Sequence, residues 1–478
     1  MFKFRVIQGP DAPKASAARC GGAAPAALLI AVALAVLPAC DSFLDISSPA
    51  LAEDMDLENP TAMISLLRGT QGDFVHAAAG EAGQGGLYLA GALLTDELVH
   101  SGVWRGHRSF SDGFSRDDTR QVAEMWAAAS QARWTAENLV PRMQRVMQTA
   151  TGEDELEETL GNQLAAAMLW AGFANRLMGD NFCQAVIDGG GLQDNRIFYE
   201  RAETHFTAAI AQATAMGRDT LRQAAQAGRA QTRMMMGDWA GAVADANDVE
   251  TLLEFYQTHG GWTGREREWN WILRSVLFAN AEVTVWGTPF EMWGRVVGTT
   301  AGDPRAQYDK PGSVTEGRDG RRPFFRQRKH TATAGNIAVV RGTEMRLIEA
   351  EALLVQGNWP DAVAKINEVR AFRRSAAGGL VAADRTLARM PNVSATTAEQ
   401  AWELLMRERG IELWLEGRRL PDMRRWSQSP GAVPFEVVRQ AGSGDETTDA
   451  RRNVLDVQDA LCIPVSSQEK RTNPNTNG

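Results

Sequence analysis

The chain has 478 residues, 44% hydrophobic and 23% charged, a composition typical of a folded globular protein with a large buried core. Its formal net charge is −9, and no long block of one sign stands out. This balance argues against a nucleic-acid partner, because binding to phosphates normally requires a basic surface.

The N-terminus carries the pattern of an export signal. Basic residues between Lys3 and Arg19 precede the apolar run AAPAALLIAVALAVLPAC, which ends at Cys40. The LPAC ending resembles a lipobox, so we predict a signal peptide over residues 1–39 and lipid attachment to Cys40. An ordinary secretory signal or a membrane-anchoring helix is the alternative interpretation.

Two further cysteines, Cys183 and Cys462, lie in the remaining chain. An exported protein could pair them, but two buried unpaired thiols are the favoured prediction. The chain has no Cys-x-x-Cys pattern, so neither a zinc knuckle nor a thioredoxin-type site is predicted.

Helical periodicity dominates the rest of the chain, whereas strand-like alternation is weak. The strongest helical segments cover residues 162–180, 198–217, 221–238, 344–357 and 397–419. Gly179, Gly237 and Gly357 are each expected to end a helix, and Thr397 to begin one. Residues 298–334 and 439–452 are rich in polar residues and glycine and are predicted to be loops.

One short element occurs twice, as MGDWAGAVADAN from Met236 and QGNWPDAVAKIN from Gln356. Each copy predicts a helix that ends at glycine, a capping Asp238 or Asn358, and a tryptophan that folds back onto the preceding helix. This pattern resembles the turn of tetratricopeptide repeats, and residues 177–186 are interpreted as a degenerate third copy. The role assigned to the element is structural.

Several segments together resemble the SusD/RagB family of nutrient-binding outer-membrane lipoproteins. They are DSFLDISSP after Cys40, DPR at 303–305, the run from 341 to 371, RERGIELWLEGRRLPDMRRW at 407–426, and IPVSSQEKRTNPN at 463–475. The residues of the 407–426 segment that fit the family pattern are Glu408, Arg409, Glu412, Leu413, Glu416, Gly417, Arg418, Asp422, Arg424 and Trp426.

The resemblance implies a mostly α fold for residues 40–478, with tetratricopeptide-like helix pairs at about 160–250 and 340–426 and a loop-rich ligand-binding insertion at about 255–335. It implies a lipid-anchored protein on the outer membrane that binds a glycan or a peptide-type oligomer. The ligand would pass to a SusC-like TonB-dependent transporter, with no catalysis and no cofactor. A tetratricopeptide-type interaction scaffold at the cell envelope is the alternative.

No catalytic or metal-binding residues are predicted. Glu408 and Glu412 lie one helical turn apart and are interpreted as members of a structural salt-bridge network rather than as a catalytic pair. The six histidines show no ligand spacing, and the common hydrolase and phosphate-binding motifs are absent. A glycoside hydrolase is therefore the weaker hypothesis.

Tryptophan is the favoured binding residue, because flat indoles stack on sugar rings and peptides. Most tryptophans lie in cores, so only one or two of the five between Trp262 and Trp293 are expected to be exposed, with Trp104 as a further candidate in another loop. The candidates are Trp104, Trp262, Trp269, Trp271, Trp286 and Trp293.

Overall fold

The structure is a computed structural model that describes residues 57–80, 85–149, 154–259, 269–276, 280–375, 390–429, 436–438, 451–453 and 461–476. The predicted signal peptide, Cys40, Trp262 and most of the predicted 439–452 loop lie outside the described residues.

Helices make up most of the described chain, and the predicted fold class is confirmed. The helices are α1 (Pro60–Ala79), α2 (Leu87–Leu94), α3 (Arg105–Ser111), α4 (Arg120–Thr149), α5 (Asp154–Asn181), α6 (Arg196–Ala215), α7 (Asp219–Met236), α8 (Trp239–Asn247), α9 (Trp271–Ser275), α10 (Pro289–Trp293), α11 (Gly342–Val355), α12 (Trp359–Ser375), α13 (Ala398–Glu412), α14 (Arg419–Trp426) and α15 (Ser467–Thr472).

The strands are short. They are β1 (Val99–His100), β2 (Gln184–Ala185), β3 (Gln193–Asp194), β4 (Glu254–Gln257), β5 (Val283–Thr284), β6 (Gly294–Val296), β7 (Asp303–Asp309), β8 (Arg326–Gln327), β9 (Ile337–Arg341), β10 (Glu436–Val438) and β11 (Arg451–Asn453). β6, β7 and β8 form one three-stranded sheet. The other strands form two-stranded antiparallel sheets, in which β1 pairs with β5, β2 with β3, β4 with β9, and β10 with β11.

The long helices pack one against the next in the spatial order α1, α4, α5, α6, α7, α8, α11, α12 and α13. Phe206 of α6 is fully buried, with its ring against Gly172 of α5 and Gly228 of α7. A Cβ atom at either glycine would lie within 2.6 Å of that ring, so the helices can approach this closely only because both positions lack a side chain. The stack thereby places one continuous core along its length.

Both copies of the repeated element form the predicted turn. Gly237 and Gly357 adopt φ angles of 79° and 80°, the left-handed conformation that ends a helix. Asp238 caps α8 by accepting from the N–H of Gly241 at 3.0 Å. Trp239 and Trp359 are half-buried against the core. Asn358 differs from Asp238, because its amide donates to the carboxylate of Asp361.

The predicted helix stop at Gly179 is wrong, because α5 continues through that residue to Asn181. A Cβ atom there would lie 2.9 Å from the ring of Tyr199, so this glycine serves close packing rather than a turn. The proposed third copy of the repeat is therefore not formed. The chain instead enters a β-bridge between Phe182 and Ile463 and continues into β2.

The favoured prediction for the two remaining cysteines is also wrong. Cys183 and Cys462 form a disulfide, with Cα atoms 5.1 Å apart and a sequence separation of 279. Backbone hydrogen bonds align the two segments: Cys183 donates to the carbonyl of Ile463 at 2.9 Å, and Ile463 donates to that of Asn181 at 2.7 Å. This contact between distant segments leaves no local signal in the sequence.

A cluster of buried charges surrounds residues 408–425, which we call the charge hub. Arg305 of β7 donates to Glu408 at 2.6 Å and to Glu412 at 3.0 Å, and Asp303 lies 2.8 Å from its guanidinium. Both glutamates are buried, and Glu408 also pairs with Arg370 at 2.8 Å. Their carboxylates are therefore occupied by structural partners, as the predicted salt-bridge network requires.

The hub also connects its own two helices to α11. Arg409 of α13 is fully buried and makes two bonds of 2.9 Å to Asp422 of α14. Arg425 of α14 makes two bonds, of 2.8 and 2.7 Å, to Glu351 of α11, which also accepts from the indole N–H of Trp426. Charges buried this deeply are tolerated only when each has a close opposite partner.

The same segment holds the chain that follows α2. Arg419 makes two bonds, of 2.7 and 2.6 Å, to Asp96, and the N–H of Leu415 donates to Glu97 at 2.6 Å. Burial raises the pKa of Glu97, and the hydrogen bond from the Leu415 N–H lowers it by less, so the pKa is about 8. Burial would also raise the pKa of Glu416, but the charges of Arg341 and Lys329 outweigh it and lower that pKa to about 2.

We expect Arg409→Met to lower the free energy of unfolding by about 3–5 kcal/mol, because the change leaves buried carboxylates without their partner. Urea unfolding followed by circular dichroism measures this loss. The matched control is Arg120→Met at the exposed Arg120–Glu124 pair, where the arginine side chain is 76% exposed. The control should change stability by at most about 0.5 kcal/mol. Equal effects of both changes would contradict the role assigned to the hub.

Glu97 predicts a pH dependence of stability. Its carboxyl keeps a proton up to about pH 8 in the folded protein, but releases it near the ordinary value of 4.5 when unfolded. Folded protein then binds more protons within this window, so stability falls as pH rises, by up to about 1.4 kcal/mol per pH unit. Glu97→Gln keeps an acceptor for the Leu415 N–H and should flatten the fall between pH 5.5 and 8 in urea unfolding. An unchanged slope would contradict the assignment.

Candidate functional site

Three loops meet through backbone hydrogen bonds in a surface that we call the three-loop platform, formed by residues 101–104, 280–288 and 315–325. The N–H of Ser101 donates to the carbonyl of Glu282 at 2.8 Å, and the N–H of Asp319 donates to that of Ser101 at 2.9 Å. Phe325 donates to the hydroxyl of Thr284 at 2.8 Å. The β1–β5 pairing continues directly into the first two loops, so the platform is fixed to regular structure.

Trp104 stands on the first loop and is half-buried. Its N–H and that of Val103 both donate to one carboxylate oxygen of Glu282, at 3.0 and 2.8 Å. Burial would raise the pKa of Glu282, but the nearby His100 and these two N–H groups outweigh it and lower that pKa. The resulting fixed negative charge holds the loop that carries the indole.

Trp286 stands on the second loop, two residues beyond β5, and is also half-buried. Its N–H donates to the hydroxyl of Thr284 at 3.1 Å, the same group that binds the third loop. Gly287 follows with a φ of 76°, and its N–H donates to Glu291 at 2.9 Å. Met292 on α10 is 74% exposed, which adds apolar surface after this tryptophan.

Two of the candidate tryptophans are buried. Trp269 and Trp271 are 7% and 4% exposed, and their rings stack with centroids 6.0 Å apart. Rings covered to this extent offer no face to a ligand, so their place in the structure is that of core residues.

Trp293 is intermediate. It packs against the core, lies edge-on to Phe290 at 5.3 Å, and has the guanidinium groups of Arg407 and Arg419 about 6 Å from its ring. These contacts hold the ring within the protein. Trp262 lies outside the described residues and stays a prediction.

The polar groups of the platform come largely from the third loop, which lies in the predicted ligand-binding insertion but from which no site residue was predicted. Arg318 is half-exposed and lies 3.5 Å from Glu282, while Arg321 is exposed. Asp319 is occupied by Arg322 at 2.7 Å. The three joined loops thus carry two partly exposed indoles and guanidinium donors, groups suited to stacking and hydrogen bonding. Its Gly-rich, Arg-rich composition was the one available signal.

Within the described ranges, no group of three or more His, Cys, Asp or Glu side chains is arranged to hold a metal ion. None of the described helices combines the length and the apolarity of a membrane-spanning segment.

The model of the SusD family matches residues 322–476 of the chain. The search of curated proteins gave no match.

Several solved structures share the fold. A SusD superfamily protein from Bacteroides vulgatus matches with a TM-score of 0.61 and 15% identity, over 88% of this chain and 98% of its own. A SusD-like carbohydrate binding protein from Bacteroides fragilis matches with a TM-score of 0.59 and 16% identity, over 88% and 99%. A further SusD-like carbohydrate binding protein from Bacteroides vulgatus matches at 0.56 and 13%, over 88% and 97%. The resemblance seen in the sequence is thereby confirmed: the chain carries the SusD family pattern over residues 322–476 and the SusD superfamily fold over most of its length.

Proposed function

We propose that the protein binds a glycan on the three-loop platform, without altering it chemically, and delivers it to a SusC-like TonB-dependent transporter. A lipid on Cys40 holds the protein on the outer membrane, facing the cell exterior. The energy for import comes from the transporter, so no cofactor is required.

One observation carries the binding proposal: Trp104 and Trp286 are half-buried on loops that hydrogen bonds join into a single surface. A half-buried indole is held in place by the protein and still presents apolar area to a ligand. Loops on a rigid scaffold commonly carry binding residues, and the helical stack provides that scaffold. Apolar faces of sugar rings match the indoles, and hydroxyls match the neighbouring guanidinium donors.

The names of two of the similar structures support a glycan over a peptide, because both are called carbohydrate binding proteins. A peptide-type oligomer is the other ligand class that the indoles could accept. Non-catalytic binding is supported by the hub, where Glu408 and Glu412 are engaged by Arg305 and are buried. Carboxylates that catalyse glycoside hydrolysis must instead flank a bound substrate.

Trp104→Ala and Trp286→Ala should each weaken oligosaccharide binding about tenfold, which corresponds to about 1.4 kcal/mol. Calorimetry or glycan-array binding of the purified full-length protein measures the change, with a peptide library in parallel. Phe114→Ala is the control, because that ring is 53% exposed yet lies at the other end of α3. Normal glycan binding by both tryptophan variants would refute the platform, and selective binding of peptides would refute the glycan.

Cys40→Ser should release the protein from the membrane fraction, because the lipid attachment site is lost. Wild-type protein extracted in mild detergent should co-purify with a large barrel protein. Fractionation of Cys40→Ser with the membrane would contradict lipid anchoring. Recovery of wild-type protein with periplasmic partners alone would favour the tetratricopeptide-type scaffold over the transporter partnership.

A further inference from the structure

A cavity of about 360 Å³ lies between α4, the segment after β2, and α15, among residues distinct from those of the platform. We call it the α4 cavity. Its volume falls within the range of about 300–1,000 Å³ that is usual for small-ligand pockets. The residues used below are Trp126, Arg133, Trp134, Asp188 and Glu469.

Two indoles from one helix line this cavity. Trp126 and Trp134 are eight residues apart, so both lie on the same face of α4. Trp126 is buried and fixed edge-on against Phe182, with ring centroids 4.9 Å apart. Trp134 is 52% exposed, which is unusual for so large an apolar ring. The cavity therefore presents a fixed inner indole and an accessible outer one.

The charged side chains that line the cavity form a polar wall, which ion pairs and one hydrogen bond hold in place. Asp188 adopts a φ of 48°, and its carboxylate lies 2.7 Å from the guanidinium of Arg133. Arg133 is in turn fixed by Glu137 at 2.5 Å. The Glu469 carboxylate accepts from the Trp126 indole N–H at 3.3 Å. Both carboxylates keep acceptor capacity beyond these bonds.

Arg133 brings a positive charge to this wall. Its side chain is 3% exposed and is fixed by Glu137 and Asp188. The cavity lining therefore carries charges of both signs.

These groups select a ligand class. A flat apolar wall favours a ring, and the two carboxylates favour a ligand that donates hydrogen bonds. An anion would be repelled by Asp188 and Glu469, and a cation would be repelled by the guanidinium of Arg133. Hydroxyl groups are neutral and donate hydrogen bonds to the carboxylates. We infer that the α4 cavity is a second saccharide site, separate from the platform, that takes a single neutral sugar unit.

Fluorine NMR of the full-length protein labelled with 5-fluorotryptophan tests this inference, because it reports on each indole separately. The probes are D-glucose, D-galactose and D-mannose, with glucosamine and glucuronate as charged counterparts. The Trp134 resonance, assigned by its loss in Trp134→Phe, should shift with at least one neutral sugar and respond at least tenfold more weakly to both charged ones.

Variants separate the cavity from the platform. Trp134→Ala should weaken the response of the Trp126 resonance to the neutral sugar at least tenfold, whereas Trp134→Phe, which keeps a ring, should retain most of it. Asp188→Asn should weaken it at least threefold, and asparagine also tolerates a positive φ. Trp104→Ala and Trp286→Ala should leave it unchanged.

The inference is overturned if no neutral sugar shifts Trp134, if a charged probe binds equally well, or if Trp134→Ala binds as the wild type does. Failure of the platform variants to affect oligosaccharide binding would refute the proposed function while leaving this cavity untouched. Unchanged thermal unfolding of Trp134→Ala, expected for an exposed ring, excludes misfolding as the cause of lost binding.

Discussion

Pairing of the buried charges in the hub is the constraint on which the rest of the described structure depends. Each charge removed from water carries a desolvation cost of several kcal/mol, which only a close and well-oriented partner offsets. Asp422 pairs with both Arg409 and Arg425 within the hub, and Glu351 of α11 pairs with Arg425. A misplaced helix would leave one of these charges buried without its partner, so alternative arrangements of α11, α13 and α14 carry that cost.

The hub also determines where the candidate binding surface lies. Asp96 and Glu97, which it holds, come directly before β1, and β1 leads into the loop of Trp104. Glu282, two residues ahead of Thr284 in β5, then secures that loop from the other side. Buried polar contacts elsewhere in the molecule thus help to position the loop that carries Trp104.

Local signals were readable from the sequence, and long-range ones were not. Thr397 accepts from the N–H of Gln400 as its capping position predicts, and Gly237 and Gly357 end their helices. Gly179 carries the same local signal, but its role is to let the ring of Tyr199 pack closely against α5. That contact exists only in the folded chain, so the sequence does not reveal it. The same limit explains why the pairing of Cys183 with Cys462 was not predicted. It also explains the tryptophans, because composition cannot separate the buried Trp269 from the half-buried Trp286.

The disulfide covalently links the middle of the chain to its C-terminal segment. Cys183 lies five residues before Asp188, and Cys462 lies seven before Glu469. The disulfide therefore joins the two chain segments that carry the acidic residues of the α4 cavity. Asn473 and Asn475 add bonds to the carbonyls of Gly190 and Gly189 alongside it. Disulfides persist in oxidising compartments and are rare in the cytosol. The relative placement of Asp188 and Glu469 therefore depends on oxidising conditions, under which the disulfide persists.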